Sequence, residues 1–296
     1  MAVKKHEVDT GRIPGVVPVD DAALHLIDLA LEEDRGPGDW TSRWTVPART
    51  RVEARIVARA EGVVAGLGLA AAVWLRLDPR VDFDVAVHDG QVATAGQTVI
   101  TLRGPGRAVL TGERTALNFL QRLSGIATLT RAYVDAVAGT GARITDTRKT
   151  TPGWRALEKA AVRAGGGENH RLGLYDMVMI KENHAMIAGG LAAAVALVRD
   201  QNGRGLPVAA EARDLEEVDV ALEAGVDRIL LDNMTDEMLA RAVKRARKHP
   251  APVVLEATGN MTLARVGGVA ATGVDVISVG ALTHSVRALD LSLLVT

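Results

Sequence analysis

Six short apolar, β-rich runs in the second half of this 296-residue chain each end in a polar cluster, and those clusters hold most of the residues able to do chemistry. They read Asp146-Thr-Arg-Lys149, Lys181-Glu-Asn-His184, Glu211-Ala-Arg213, Asp232-Asn233, Glu256-Ala-Thr-Gly-Asn260 and Gly280-Ala-Leu-Thr-His284. Sorted by charge, Arg148, Lys149, His170, Arg171 and Lys181 form a dense positive set, which Arg114 can join from upstream. Glu211 and Asp232 supply two carboxylates and Glu256 a candidate third. A pocket with this many cations suits a substrate bearing several phosphates or carboxylates, because guanidinium forks match such groups bidentately. The carboxylates would then bind sugar hydroxyls or a divalent metal, Mg2+ being the usual companion of phosphates. Thr258-Gly259 and Gly280-Ala281, on the last two runs, suit a phosphate cradle of backbone N–H groups, although each pair also fits a plain turn.

Lysine is scarce enough here to be informative. Seven of the thirty-five basic residues are Lys, and none lies between Lys5 and Lys149. In a chain that prefers Arg, a compact ammonium after each of two strands, at Lys149 and Lys181, is best explained by phosphate or carboxylate binding. Two other readings stay open: a surface lysine paired with a nearby acid, or a Schiff-base lysine of the aldolase kind, which also sits at a strand end. Arg163-Ala-Gly-Gly-Gly-Glu-Asn-His170 reads as a flexible loop, in which His170 is as well suited to structural hydrogen bonding as to ligand binding. Three other motifs fail. Gly66-Leu-Gly68-Leu-Ala-Ala71 fits a loose dinucleotide fingerprint but lacks its strand–helix–strand setting. Gly165 to Gly167 lacks the Gly-Lys-Ser/Thr of a phosphate-binding loop, and the β-rich 51–102 segment, similar to a biotinyl or lipoyl carrier module, has no lysine to modify.

What must position these residues is an alternation of strands and helices. The runs Arg143-Ile-Thr145, Met177-Val-Met-Ile180, Val208-Ala-Ala210, Arg228-Ile-Leu-Leu231, Val253-Val-Leu255 and Val274-Asp-Val-Ile-Ser-Val279 have the look of buried parallel strands. Six strand–helix units suit an open doubly wound sheet or an incomplete α/β barrel, and a barrel builds its site at the C-terminal strand ends. Leu117, Leu120, Leu123, Ile126 and Leu129 fall at helical spacing, which predicts a long helix over 113–137 with Ser124-Gly125 as its weak point. Upstream the pattern is α+β: an amphipathic helix over 22–33, the loop Asp34–Asp39, β-like runs at 51–58, 81–87 and 97–102, and an Ala-rich helix over 67–77.

Composition narrows the class. Thirty-five basic against thirty-six acidic residues leave no global attraction for nucleic acid or an anionic membrane, so anion binding has to be local. The absence of cysteine removes disulfides, thiolate metal sites and a cysteine nucleophile together. The start of the chain shows no secretory signal, and the longest apolar stretch, Met186 to Val198, is too short to span a bilayer. The expectation is a soluble cytoplasmic protein.

The string TDTRKTTPGWRALEKAAVRAGGGENHRLGLYDMVMIKENH, from Thr145 to His184, resembles the central signature of the quinolinate phosphoribosyltransferases, also called nicotinate-nucleotide pyrophosphorylases (carboxylating). The likeness extends over nearly the whole chain. It includes Glu33-Asp-Arg-Gly-Pro-Gly-Asp-Trp-Thr41, Glu113-Arg-Thr-Ala-Leu-Asn118, Leu123-Ser-Gly-Ile-Ala-Thr128, Leu231-Asp-Asn-Met234 and Ser278-Val-Gly-Ala-Leu-Thr-His284. The resemblance implies an α/β sandwich over 1–113, rejoined by 286–296, and an incomplete α/β barrel of six or seven strands over 114–285. It implies a homodimer with the active site near the subunit boundary, where Arg114 reaches the partner's site. Arg148, His170, Arg171 and Lys181 would surround the quinolinate carboxylates, and Lys149 would meet the diphosphate of phosphoribosyl pyrophosphate. Glu211 and Asp232 would hold ribose hydroxyls and Mg2+, with Thr258, Gly259 and Gly280 at the 5′-phosphate; Lys149, Lys181, Glu211 and Asp232 are the catalytic set. The chain departs from the family at Asn260, where a second glycine is usual, and at Glu182, where Asp is common.

The reaction implied is phosphoribosyl transfer to quinolinate with loss of carbon dioxide, giving nicotinate mononucleotide and diphosphate for NAD synthesis. The alternatives are a relative acting on nicotinate, a Schiff-base aldolase-like barrel working through Lys149 or Lys181, and a non-catalytic ligand-binding barrel. Arg148, His170 and Arg171 together favour the dicarboxylate, because a second buried carboxylate needs its own cations.

Overall fold

Acids placed just ahead of the helices start them. Asp20 accepts the Ala23 N–H at 2.8 Å ahead of α1 (Asp21–Arg35), and Asp39 accepts that of Ser42 at 2.9 Å ahead of α2 (Trp40–Thr45). The computed structural model describes residues 6–296, so the two lysines at the start of the chain lie outside the described residues. Two compact units divide the molecule: residues to Leu129 with Leu157–Gly166 and Val286–Thr296 form one, and Thr130–Ala156 with Gly167–Ser285 form the other.

In the first unit, β1 (Arg51–Ala58), β2 (Gly62–Val63), α3 (Leu67–Leu77), β3 (Asp82–Val85), β4 (Val92–Ala93) and β5 (Thr98–Pro105) precede a 31-residue helix, α4 (Gly106–Ala136). The last strand of the chain, β12 (Leu291–Val295), pairs antiparallel with β1 and completes a four-stranded sheet of order β12-β1-β5-β3. The apolar side of α3 is buried through Leu67, Trp74 and Leu75, and Trp74 Nε1 donates to the Val109 carbonyl of α4 at 3.0 Å. Helix α4 starts at Gly106, ahead of the predicted Glu113, and runs unbroken through Ser124-Gly125. Gly125 marks a crossing instead of a weak point. A Cβ there would fall 2.2 Å from the Arg287 carbonyl oxygen, so the missing side chain lets the returning C-terminal segment pass.

From residue 143 onward strands and helices alternate. The elements are β6 (Arg143–Thr145), α5 (Arg155–Ala164), β7 (Val178–Ile180), α6 (Glu182–Ala188), α7 (Leu191–Gln201), β8 (Val208–Ala212) and α8 (Leu215–Ala224). There follow β9 (Arg228–Asp232), α9 (Asp236–Ala246), β10 (Val254–Thr258), α10 (Leu263–Ala271), β11 (Val276–Ser278) and α11 (Ala281–His284). The sheet order is β6-β11-β10-β9-β8-β7 with parallel pairing throughout, which leaves β6 and β7 as edges. This is an incomplete barrel of six strands. The apolar 186–198 stretch splits into α6 and α7 because Gly189 and Gly190 take φ values of 87° and 125° between them. Among the described residues no helix is long and apolar enough to cross a membrane.

The segment predicted as a flexible loop is held in place. Helix α5 continues to Ala164, the Glu168 N–H donates to the Ile144 carbonyl at 2.8 Å, and Glu168 bridges Thr145 alongside β6. Asp146, fully buried, accepts the His170 N–H at 2.9 Å and Asn169 Nδ2 at 2.6 Å. A buried carboxylate needs such donors, and supplying them fixes the segment that carries them.

Candidate active site

Alternate side chains of a strand share one face, so residues two apart line the same wall. Met179 and Lys181, Leu230 and Asp232, and Glu256 and Thr258 are three such pairs, and all six line one cavity of about 470 Å3. Glu211 and Ser278 add the walls from β8 and β11, and Thr147, Arg148, Lys149, His170 and Arg171 close the side next to β6. The register sets Glu211 and Glu256 level with Leu230, and Thr258 level with Asp232. Asp232 and Thr258 therefore stand nearest the strand ends, with Glu211, Leu230 and Glu256 two residues below them.

Nine of the eleven residues expected at the site line this cavity: Arg148, Lys149, His170, Arg171, Lys181, Glu211, Asp232, Thr258 and Gly259. Gly280 and Arg114 do not. Gly280 lies just behind Lys149, where a Cβ would come 3.2 Å from the lysine Cδ. Arg114 is exposed on the first-unit part of α4.

The base of the site is paired through one oxygen of Glu256, while its other oxygen, Oε1, is buried without a hydrogen-bond partner among the described residues. Glu256, considered from the sequence as a third carboxylate for metal or sugar, is 1% exposed, and its Oε2 faces His170 Nε2 at 3.1 Å and Arg228 Nη1 at 2.9 Å. Burial pushes the Glu256 carboxyl up, but hydrogen bonds from His170 and Ser278 and the charge of Arg228 hold it below its ordinary value. The Arg171 N–H donates to His170 Nδ1 at 2.7 Å, which makes that nitrogen an acceptor and leaves the ring proton on Nε2, toward Glu256. His170 thus lines the cavity with both ring nitrogens already engaged by protein.

The upper tier is charged and only partly paired. Lys181 Nζ meets Glu211 Oε1 at 2.5 Å. The Lys149 backbone is held by Thr283, whose hydroxyl donates to its carbonyl at 2.8 Å, and by Thr147, which accepts its N–H at 3.1 Å. Among the described residues the Lys149 ammonium has no carboxylate partner, nor has the Arg148 guanidinium. Arg171 is 8% exposed and anchors through Nη1 to the Met177 carbonyl at 3.0 Å. Burial, and then the neighbouring Arg148 charge, lower the Arg171 pKa in spite of Asp176 and Glu211. Three cations around one cavity without a matching set of protein anions is a site built for a polyanion.

Two carboxylates, Glu211 and Asp232, are positioned to help hold a cation. Among the described residues no group of three or more His, Asp or Glu forms a metal site by itself. A hard divalent ion there has to bring further oxygen ligands, as Mg2+ does when it arrives on phosphates. Asp146, which orients His170, and Thr147, Asn233 and Asn260 of the lining stood in the polar clusters without a site role, and Met179, Leu230 and Ser278 were missed. Most stand within two residues of a predicted strand end, and the period of two along each strand was the available signal.

Comparisons with known proteins match two successive stretches of the chain. Residues 39–124 match the family model described as quinolinate phosphoribosyl transferase, N-terminal domain, and residues 126–294 match the corresponding C-terminal domain. The chain is 46% identical over 263 residues to a probable nicotinate-nucleotide pyrophosphorylase (carboxylating) of Synechocystis, covering 89% of each. It is 45% identical to the enzyme of that name from Mycobacterium leprae, over 92% of this chain and 97% of that one. The solved nicotinate-nucleotide pyrophosphorylase of Francisella tularensis superposes with a TM-score of 0.90 at 39% identity, covering 95% of this chain and 98% of the other. A human nicotinic acid phosphoribosyltransferase, at 15% identity and a TM-score of 0.55, shares the fold.

Proposed function

The chain belongs to the quinolinate phosphoribosyltransferase family, and from that premise we propose how its cavity carries out decarboxylating phosphoribosyl transfer in NAD synthesis. The observation that carries the reading is the set Arg148, Lys149 and Arg171, cationic and without matching carboxylates, facing Glu211 and Asp232 across one cavity. Quinolinate brings two adjacent carboxylates and phosphoribosyl pyrophosphate several phosphate charges. Arg148 and Arg171 would take the carboxylates, with Lys181 beside them, while His170 keeps the Arg171 backbone in place. Lys149 would meet the diphosphate, Glu211 and Asp232 the ribose hydroxyls, and the backbone at Thr258, Gly259 and Gly280 the 5′-phosphate.

Glu211 and Asp232 would also hold Mg2+, which offsets diphosphate charge when bound. In the proposed sequence the bond from C1′ to diphosphate breaks as its charge is met by the Lys149 ammonium. The quinolinate ring nitrogen forms the new bond to C1′. The resulting pyridinium withdraws electrons, so the bond from C2 to its carboxylate breaks, carbon dioxide leaves, and C2 takes a proton from water. Positioning and fixed charge do the work, with no covalent enzyme intermediate. The aldolase reading is disfavoured because Lys181 is ion-paired with Glu211, which favours its charged form, and Lys149 is exposed rather than desolvated.

We place the reaction in the cytoplasm, since so highly charged a donor does not cross membranes. A homodimer in which Arg114 serves the partner's site accounts for an exposed arginine that its own cavity does not use. The test is release of labelled carbon dioxide from carboxyl-labelled quinolinate by the purified protein with Mg2+. Release that depends on phosphoribosyl pyrophosphate supports the assignment. Release without the donor, or none with quinolinate while nicotinate is consumed, overturns it.

A further inference from the structure

Two residues other than glycine hold a positive φ among the described residues, Asn233 at 54° and Asn260 at 47°, and both line the cavity. Left-handed backbone at a side-chain-bearing residue costs energy, and Asn tolerates it best. The two are also bonded to one another. Asn260 Nδ2 donates to Asn233 Oδ1 at 3.0 Å, and Asn233 Nδ2 donates to Asp232 Oδ2 at 3.1 Å. The direction of this relay is forced. A carboxylate only accepts, so Asn233 must present its NH2 to Asp232, its carbonyl is left for Asn260, and Asn260 must donate. The backbone completes the frame, with the Asn233 N–H donating to the Thr258 carbonyl at 3.0 Å. Gly259 is what makes room: a Cβ on it would lie 2.3 Å from Asn233 Oδ1.

From this arrangement we propose that Asn233 is a positioning residue for Asp232, and that Asn260 orients Asn233 for the task. One carboxylate oxygen of Asp232 is held by the amide, which leaves the other for the ribose hydroxyls of the phosphoribosyl donor. Asn260, where a glycine is usual in the resembling family, keeps the left-handed turn a glycine would allow and adds a side chain that acts on the neighbouring strand end. The proposal rests on the assignment of Asp232 to the donor side of the site.

Asn233→Gly and Asn260→Gly test it, because glycine accepts the positive φ and only the amides are lost. KM for phosphoribosyl pyrophosphate should rise about tenfold in N233G, the worth of one charge-assisted hydrogen bond, and about threefold in N260G. KM for quinolinate should stay unchanged. Calorimetric titration of the donor with Mg2+ should show the same loss of affinity without turnover. Benzene-1,2-dicarboxylate, which has both carboxylates but no ring nitrogen, would fill the other half of the site in that titration. In the double variant, N260G should add nothing to N233G, since its effect passes through the amide that is gone. Donor affinity unchanged in N233G, or independent additive effects of the two changes, would overturn the proposal. Wild-type protein that releases no carbon dioxide from quinolinate would instead overturn the functional reading on which it rests.

Discussion

Replacing Glu256 by Gln removes one charge from the base of the site while keeping the side chain's size. In the wild type its Oε2 faces both the His170 ring N–H and Arg228. Loss of one member of a buried ion pair typically costs about 3–5 kcal/mol, and because the Arg228 side chain keeps 21% exposure the lower end, about 3 kcal/mol, applies. For a protein of this size that is a fall in Tm of roughly 5 °C at pH 7. The pH dependence gives the sharper test. The folded-state pKa of Glu256 lies below its ordinary 4.5, so the carboxylate's stabilisation is full above about pH 4.5 and is lost as pH falls through the depressed value. The melting gap between wild type and E256Q should therefore be widest at neutral pH and shrink as pH falls below the ordinary 4.5 toward the depressed value. Thermal melts of both proteins from pH 7 down to pH 3.5 would measure it. A gap that stays constant with pH, or equal stability at neutral pH, would refute the view that a charged Glu256 holds His170 and Arg228.

Lys149→Ala should lower turnover by orders of magnitude while leaving Tm within about 1 °C, because its ammonium has no protein anion to lose. Mixing K149A with R114A subunits should restore about a quarter of wild-type activity if Arg114 serves the partner's site, as half the dimers would then carry one intact site; no recovery would confine Arg114 to its own subunit. Gly125→Ala should destabilise the protein by about 2–3 kcal/mol despite alanine's better helix propensity, since its Cβ meets the Arg287 carbonyl at 2.2 Å. Chemical denaturation would measure that loss, and a neutral outcome would mean that the C-terminal segment yields easily.

The strand ends were legible because buried parallel strands leave continuous apolar runs, and the polar residue that breaks each run marks where the chain leaves the sheet. β1 and α3 match their predicted limits for a similar reason: patterning and flanking turns agreed there. Gly125 was misread because helix propensity is local, whereas the reason for a glycine there is a carbonyl from the other end of the chain. The 163–170 loop was misread because three glycines suggest freedom, and nothing in the string reveals that Asp146 and Ile144 accept its N–H groups. Glu256 was grouped with Glu211 by charge alone. Period two places both on the cavity wall, and Arg228, two strand positions before Leu230 on the neighbouring strand, pairs with Glu256 through Oε2.

That pairing bears on how one sheet can be both stable and reactive. Stability favours polar groups whose partners are protein, and Asp146, His170 and the Oε2 atom of Glu256 meet that condition at the base. Binding favours groups whose charges lack protein partners, and among the described residues Arg148 and Lys149 meet that condition beside the partly anchored Arg171. The two tiers touch at one point: the Arg171 N–H donates to His170, whose other nitrogen is held by Glu256. Repulsion between Arg148 and Arg171 is thus carried by a buried, neutralised frame instead of displacing the side chains. A polyanion that relieves it should stabilise the protein by RT ln(1 + c/Kd) at free concentration c, about 2.7 kcal/mol at a hundred times its Kd. Weakening the frame at Glu256 should cost quinolinate affinity as well as stability, although Glu256 itself is consigned to the paired base.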